Sequence, residues 1–312
     1  MKIKILAGLI ATGAILISGC SNETGNGEEK TLKSGHQVEH IHGLAYTENN
    51  SIYVASHEGM IMTKNEGKDW VTAGNTDFDF MGFHVQSDGT MLTSGHPGAK
   101  SDLPNPLGVL ESTNNGKKWE TKALLGKVDF HILSSNYHNP EMIYGVNQMD
   151  SGDYKAGIYK STDRGENWER LKSTGLPDDL HGMYTLLSLP DDENVLIAGT
   201  NEGVFRSEDG GKTWKPAEQS RLITAISVIP DSSELISYSI TEAEAGIMKS
   251  KDNGQTWEKI GLDLGKDAVS YFAIHPKEPA KIAVVTFENN LLVSEDGGEN
   301  WTTLMKKGEL QN

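Results

Sequence analysis

STDRGENW, at residues 161–168, is one copy of an eight-residue segment that occurs six times in this 312-residue chain and decides its fold. The other copies are TKNEGKDW (63–70), STNNGKKW (112–119), SEDGGKTW (207–214), SKDNGQTW (250–257) and SEDGGENW (294–301). We call these segments the repeat turns. The chain has six tryptophans, and each one closes a repeat turn. A pattern that accounts for every tryptophan indicates an internal structural repeat.

The spacing of the repeat turns predicts the size of each unit. Successive tryptophans are 49, 49, 46, 43 and 44 residues apart, which is the length of a four-stranded propeller blade. In the last unit, β-branched and aromatic residues alternate through VSYFAIHP (269–276), KIAVVTF (281–287) and NLLVS (290–294). Equivalent first strands are expected at residues 40–46, 80–86, 130–135, 183–189 and 223–229. The sequence predicts an all-β fold, a six-bladed β-propeller of four-stranded antiparallel blades, whose complete end blades close the ring by packing.

The repeat turns resemble Asp-box (BNR) repeats, which occur in sialidases, the sortilin family and other glycosidase propellers. Their chemistry is that of a tight turn: Gly accepts a positive φ, Asp or Asn binds backbone N–H groups, and Trp packs between blades. Asn65 and Asn114 stand where the other copies have Asp, and Asn can fill the same turn role. The repeat turns are therefore predicted to be structural, and their carboxylates are not predicted to bind metal or catalyse a reaction.

The N-terminus, MKIKILAGLIATGAILISGC, has two lysines, an apolar run and a small-residue pair before Cys20. This pattern is typical of a secretory signal and resembles the lipobox of bacterial lipoproteins. Cys20 is also the only cysteine of the chain. We expect a signal peptide at 1–19, a lipidated Cys20 with a flexible tether at 20–35, and the propeller at 36–312. The protein is expected to contact the lipid bilayer only through this anchor, as a monomer on the extracytoplasmic face of the cell membrane.

The formal net charge of −16 argues against some partners. Nucleic acids and anionic lipid headgroups bind basic surfaces, because affinity comes from counterion displacement. No nucleic-acid partner is predicted.

Histidines and acidic residues cluster where the predicted inner strands begin. In a propeller these strand starts, and the turns between second and third strands, converge on one mouth of the central channel. The predicted ligand-binding residues are His40, His42, His57, His84, His96, His131, His181 and Tyr184. A divalent transition metal is one candidate ligand, with His40, His42, His84 and His131 as its predicted ligands, because imidazoles from separate strands can form an open metal site. Hydrogen bonding to a sugar or peptide, or a polar lining without a ligand, are the alternatives.

Three functions remain open from the sequence. We favour a binding module for a glycan, peptide or other envelope ligand at the channel mouth. The first alternative is a glycoside hydrolase, which uses a pair of carboxyl groups; the candidates are Glu39, Asp77, Asp79 and Asp129. The second alternative is an assembly or scaffold factor. The resemblance to sialidases does not extend to their chemistry, because their Phe-Arg-Ile-Pro motif is missing and three of the four arginines lie at or beside repeat turns.

Overall fold

The computed structural model describes residues 29–74 and 78–311. The predicted signal peptide, Cys20 and Asp77 lie outside the described residues. The described part forms six antiparallel sheets of four or five strands, with two short 3-10 helices at Asn65–Gly67 and Leu180–Gly182. This confirms the predicted six-bladed β-propeller. No helix within the described ranges has the length and apolar character needed to cross a membrane.

The first three blades use residues 41–170, and a short strand precedes them. Blade one contains β2 (Ile41–Tyr46), β3 (Ile52–Ser56), β4 (Gly59–Lys64), β5 (Asp69–Ala73) and the added β1 (Thr31–Leu32). Blade two contains β6 (Asp79–Val85), β7 (Met91–His96), β8 (Val109–Ser112) and β9 (Glu120–Ala123). Blade three contains β10 (Phe130–Ser135), β11 (Ile143–Asn147), β12 (Gly157–Ser161) and β13 (Glu169–Arg170).

The last three blades follow in the same order. Blade four contains β14 (Met183–Leu189), β15 (Asp192–Thr200), β16 (Gly203–Ser207) and β17 (Lys215–Glu218). Blade five contains β18 (Leu222–Val228), β19 (Leu235–Ile240), β20 (Ala245–Ser250) and β21 (Glu258–Gly261). Blade six contains β22 (Val269–Ile274), β23 (Ile282–Thr286), β24 (Leu291–Ser294), β25 (Thr302–Lys306) and the added β26 (Glu309–Leu310). The predicted inner strands agree with β2, β6, β10, β14, β18 and β22 to within two residues.

The core is divided into six apolar clusters, one at each junction between neighbouring blades. Each cluster contains a single tryptophan, which packs against side chains of the blade before its own. Trp119 of blade two, for example, is fully buried and shares its cluster with Tyr53 and Met60 of blade one, and its ring lies 5.3 Å from that of Phe80 in its own blade. The predicted role of the indoles between blades is therefore confirmed. Burial of such large rings supplies much of the hydrophobic free energy that holds the blades together.

Five of the six repeat turns share one hydrogen-bond pattern. In the third copy, the Ser161 hydroxyl donates to Asp163 Oδ1 (2.8 Å) and accepts from Gly165 N–H (2.9 Å). Asn114 reproduces this pattern in the second copy, as predicted. Asn65 does not: it adopts φ +53° in a 3-10 helix, and its side-chain amide donates to Asp69. The expectation that Asn plays the same turn role in both copies is thus wrong for Asn65.

The ring is closed by backbone pairing as well as packing. Residues near the N-terminus lie beside β26 of blade six: Gly35 N–H donates to Leu310 O (3.0 Å), Leu310 N–H donates to His36 O (3.0 Å), and Val38 N–H donates to Gly308 O (2.8 Å). The prediction of closure by packing alone is corrected by these bonds. Sequence patterning missed this joint because two-residue strands carry no detectable periodicity.

Candidate functional site at the channel mouth

Each inner strand contains a β-bulge at the same level, and the bulged residues other than Thr224 line the channel. In five blades the pairing with the second strand skips a single residue, and these residues are His42, His131, Tyr184, Thr224 and Ser270. In blade two the skipped pair is Gly82 and Phe83. A bulge leaves its extra residue out of the ladder and re-aims its side chain. Six bulges at one level therefore place His42, His131 and Tyr184 in one ring around the channel.

The channel has a wall of mixed polar and apolar side chains. It forms a cavity of about 840 Å³ that all six inner strands line. His42, His84, His131 and Tyr184 are among its lining residues, together with apolar side chains such as Phe272. This volume lies within the range of small-molecule sites.

Three histidines of blade one form a stack at the mouth. The His57 ring lies between those of His40 and His42, with centroid distances of 4.7 and 4.6 Å and interplanar angles of 22° and 21°. His40 precedes β2 in the left-handed region, at φ +49°, and His57 lies in the turn between β3 and β4. A non-glycine residue with positive φ costs about 1 kcal/mol, and such strain is often found at functional sites. Burial is the main cause that lowers the pKa of His42 to about 4, and the charge of the neighbouring His57 is the next. The His42 imidazole is therefore neutral at physiological pH.

Asp79, the first residue of β6, lies beside this stack. His57 Nε2 is 3.8 Å from Asp79 Oδ1, and one potential ligand atom of each of His42, His57 and Asp79 lies within 4.8 Å of the other two. His42 Nε2 and Asp79 Oδ1 are buried and have no hydrogen-bond partner among the described residues. Burial raises the pKa of Asp79. An unpaired buried carboxyl oxygen and imidazole nitrogen are costly unless a ligand satisfies them.

A second group at the mouth is internally paired. His131 Nε2 donates to Asp129 Oδ2 at 2.8 Å, and His96 Nε2 lies 3.2 Å from the same oxygen. Burial opposes ionisation of Asp129, but the bonds from His131 and His96 outweigh it and hold its pKa well below the usual range. The bond to Asp129 raises the pKa of His96 to about 9, and His96 Nδ1 donates to Asn105 Oδ1 (2.7 Å). This group therefore carries a carboxylate and an imidazolium at neutral pH.

His84 is separate from the other predicted metal ligands. It pairs with Leu92 in the ladder after the bulge, further along β6, whereas Gly82 occupies the position that corresponds to His42 and His131. Ser135 N–H donates to His84 Nε2 (3.1 Å), so this nitrogen is already used. Burial lowers the pKa of His84 to about 4. The structure places His84 in the channel wall between blades two and three.

The remaining candidate residues occupy different surroundings. Glu39 is exposed, and its backbone N–H donates to Glu58 Oε2 (3.5 Å). His181 is exposed on the loop before blade four and bonds to Asp179 Oδ1 (2.9 Å). Neither side chain makes a hydrogen bond or ion pair with the stacked or paired histidines among the described residues.

Tyr184 forms part of an aromatic pair on the opposite side of the ring. Its ring meets that of Phe287 edge-on, with centroids 6.1 Å apart. Phe287 belongs to the turn after β23 and is 54% exposed, so an apolar face is available to solvent beside the channel. Sequence reasoning missed Phe287 and Asn105, because nothing in a single turn residue indicates which wall of the channel it reaches.

Comparisons with known proteins agree with the architecture. A family profile described as "Sortilin, neurotensin receptor 3" matches residues 201–310, from the turn after β15 to β26. Xyloglucanase Xgh74A of Acetivibrio thermocellus is 26% identical over 171 residues, a match that covers 45% of this chain and 20% of the xyloglucanase.

Solved structures of similar shape include two GH74 proteins. The GH74 enzyme of Niastella koreensis superposes with a TM-score of 0.59 at 15% identity, covering 88% of this chain and 46% of that enzyme. The GH74 xyloglucanase of Xanthomonas campestris gives 0.54 at 14% identity, covering 89% and 47%. YCF48 bound to D1 peptide gives 0.51 at 18% identity, covering 88% and 84%.

The chain thus spans less than half the length of the GH74 proteins it matches. At these identities the structural likeness shows the fold alone. The chain is a β-propeller that is similar over its last third to the sortilin profile and over part of its length to a xyloglucanase.

Proposed function

We propose that this protein is an extracytoplasmic propeller, held on the cell membrane through a lipid on Cys20, that binds a glycan at the channel mouth. The observation that carries the proposal is the two-sided mouth. Tyr184 and the exposed Phe287 offer an apolar platform, while histidines and aspartates of blades one to three face the same opening. Sugar rings present both apolar C–H faces and hydroxyl groups, so they need this combination of stacking surface and hydrogen-bonding groups.

The names of similar proteins also support a glycan as the ligand. Xgh74A and the GH74 protein of Xanthomonas campestris are both named xyloglucanases, for action on a glycan. The YCF48 structure contains a peptide, which makes a peptide the rival ligand for the same mouth.

Glycan-array screening of the purified chain, followed by titration calorimetry with the best oligosaccharide, tests the proposal. Phe287→Ala should weaken binding about tenfold, equivalent to about 1.4 kcal/mol, because it removes the stacking face. Met149→Ala is the matched control, since Met149 is 56% exposed in the corresponding turn of blade three and has no aromatic ring. Binding of peptides but no glycan, or equal affinity of the Phe287 and Met149 variants, would contradict the proposal.

A glycoside hydrolase at the same mouth is the second candidate, favoured by the opposite environments of two carboxyl groups. Burial raises the pKa of Asp79, whereas the histidines beside Asp129 keep that residue ionised. Environments that separate two carboxyl pKa values are typical of an acid paired with a base or nucleophile. Release of reducing ends from a bound glycan, abolished in Asp79→Asn with affinity retained, would establish this activity.

The membrane anchor requires its own test. A Cys20→Ser variant should lose incorporation of labelled fatty acid and appear in the medium rather than the membrane fraction. An unchanged distribution would exclude the proposed anchor.

A further inference from the structure

We propose that His42, His57 and Asp79 form a binding site for a divalent first-row transition-metal ion at the channel mouth. The proposal does not depend on the glycan proposed above, because it concerns the ion alone. It also revises the ligand set expected from the sequence, in which Asp79 and His57 were not metal ligands.

Three potential ligand atoms from three separate elements converge at the mouth. They come from a bulge in β2, the turn between β3 and β4, and the start of β6. Their ligand atoms lie within 4.8 Å of one another. Tetrahedral coordination with bonds of about 2.0–2.2 Å needs ligand atoms about 3.3–3.6 Å apart, so the most distant atoms must approach by up to about 1.5 Å.

His57 is the ligand that can make this movement. Stacked rings direct their nitrogen lone pairs in parallel, so His57 must turn out of the stack for its nitrogen and that of His42 to meet one ion. Its side chain is 43% exposed and lies on a turn, whereas His42 is held in the channel wall. His57 Nε2 already lies 3.8 Å from Asp79 Oδ1.

The two less mobile ligands, His42 and Asp79, each have a buried atom whose hydrogen-bonding capacity is unused within the described ranges. His42 Nε2 and Asp79 Oδ1 are buried without hydrogen-bond partners in the described part of the chain. The pKa of His42, lowered to about 4, leaves its imidazole neutral, which is the form that binds a metal. Burial penalises a bare Asp79 carboxylate, and a bound cation would offset that penalty.

Three other histidines of the mouth and the channel wall already have partners. His96 and His131 both bind Asp129 Oδ2, and His84 Nε2 accepts from Ser135. These contacts distinguish His42 and Asp79, whose buried atoms have no hydrogen-bond partner among the described residues, from a paired group nearby.

The donor set defines the class of ion. Two imidazoles and one carboxylate favour Zn²⁺, Cu²⁺, Ni²⁺ or Fe²⁺ over Mg²⁺ and Ca²⁺, which prefer oxygen ligands. Three protein ligands also leave a coordination position free for water or an exogenous ligand. That position would face the channel mouth.

Titration of the purified, chelator-treated full chain with Zn²⁺ alone tests the proposal, with no glycan present. We expect one Zn²⁺ per chain. His57→Ala and Asp79→Asn should each weaken binding at least tenfold, a loss that even outer-shell changes commonly produce. His57 lies on an exposed turn, so His57→Ala should keep the far-UV circular dichroism and melting temperature of the parent.

His181→Ala is the matched control, because His181 is an exposed histidine that lies outside the trio and bonds to Asp179. Its Zn²⁺ affinity should equal that of the parent. Co²⁺ substitution should give visible absorption bands that the His57 variant lacks. Absence of stoichiometric Zn²⁺ in the parent, or affinity retained in folded His57→Ala, would overturn the proposal. Because Zn²⁺ binding and Phe287-dependent glycan binding are measured separately, either proposal can fail while the other stands.

Discussion

Replacing Gly82 with Ala should damage both the propeller and its mouth. Gly82 lies at the bulge of β6 with φ +35°, and a Cβ there would lie 2.1 Å from the carbonyl oxygen of Phe130 in blade three. No rotamer change can relieve this contact, because the neighbouring atom belongs to the backbone. The two strands must separate by at least about 1.3 Å to reach an ordinary contact.

The expected magnitude follows from two contributions. Alanine at positive φ costs about 1–2 kcal/mol, and forced separation of packed elements adds about 1–3 kcal/mol. Gly82→Ala should therefore lower the free energy of unfolding by about 2–5 kcal/mol. At roughly 2 °C per kcal/mol for a domain of this size, the melting temperature should fall by about 4–10 °C.

Gly265→Ala isolates the conformational contribution. Gly265 also has a positive φ, +66°, but a Cβ there would meet nothing within 4 Å. Gly265→Ala should lower the free energy of unfolding by only about 1–2 kcal/mol. Urea unfolding followed by tryptophan fluorescence measures both variants. Equal losses, within about 0.5 kcal/mol, would refute the close approach of blades two and three and with it the geometry of the mouth.

Three further predictions concern the turns, the joint and the paired histidine. In three repeat turns, hydrogen bonds from the residue four positions after the Asp lower the pKa of the Asp carboxyl to about 2. These carboxylates should therefore stabilise the fold above about pH 4, and that stabilisation should be lost as the pH falls through 2. Urea unfolding midpoints measured between pH 4.5 and 2 should vary less once Asn replaces Asp209, Asp252 and Asp296. Leu310→Ala should lower the unfolding free energy by about 2–3 kcal/mol, because Leu310 is 1% exposed at the ring joint, whereas exposed Glu309→Ala should change it little in the same urea assay. The pKa of His96 is raised to about 9, and NMR titration should show it falling toward 6.5 in Asp129→Asn. In the parent, the pair of His96 and Asp129 should stabilise the fold below about pH 6.5 and lose that effect as the pH rises through 9.

Much of the fold was predictable because its determinants are local and repeated. The repeat turns use residues within eight positions of one another, and strand alternation has a period of two. Their combination indicates six blades before any long-range contact is known. The inner strands carrying His131 and Tyr184 were predicted at their observed bounds, Phe130–Ser135 and Met183–Leu189.

The site was less predictable, because bulges and loop contacts decide which side chains meet. An extra residue in a strand changes the facing of those that follow. In blade two the bulge involves Gly82 and Phe83, and this places His84 beside Ser135 rather than with His42. Asp79 reaches the histidine stack through packing of blade two against blade one, a contact that no spacing within one strand records.

The sequence alone therefore determined the number of blades, the turn chemistry and the face on which polar residues gather, since each depends on short-range patterns repeated along the chain. Only the tertiary structure decided that Asp129 is paired with two histidines, while Asp79 and His42 each keep a buried atom without a hydrogen-bond partner among the described residues. Those outcomes depend on distances of a few ångströms between residues of different blades, and electrostatic and coordination energies change steeply over such distances.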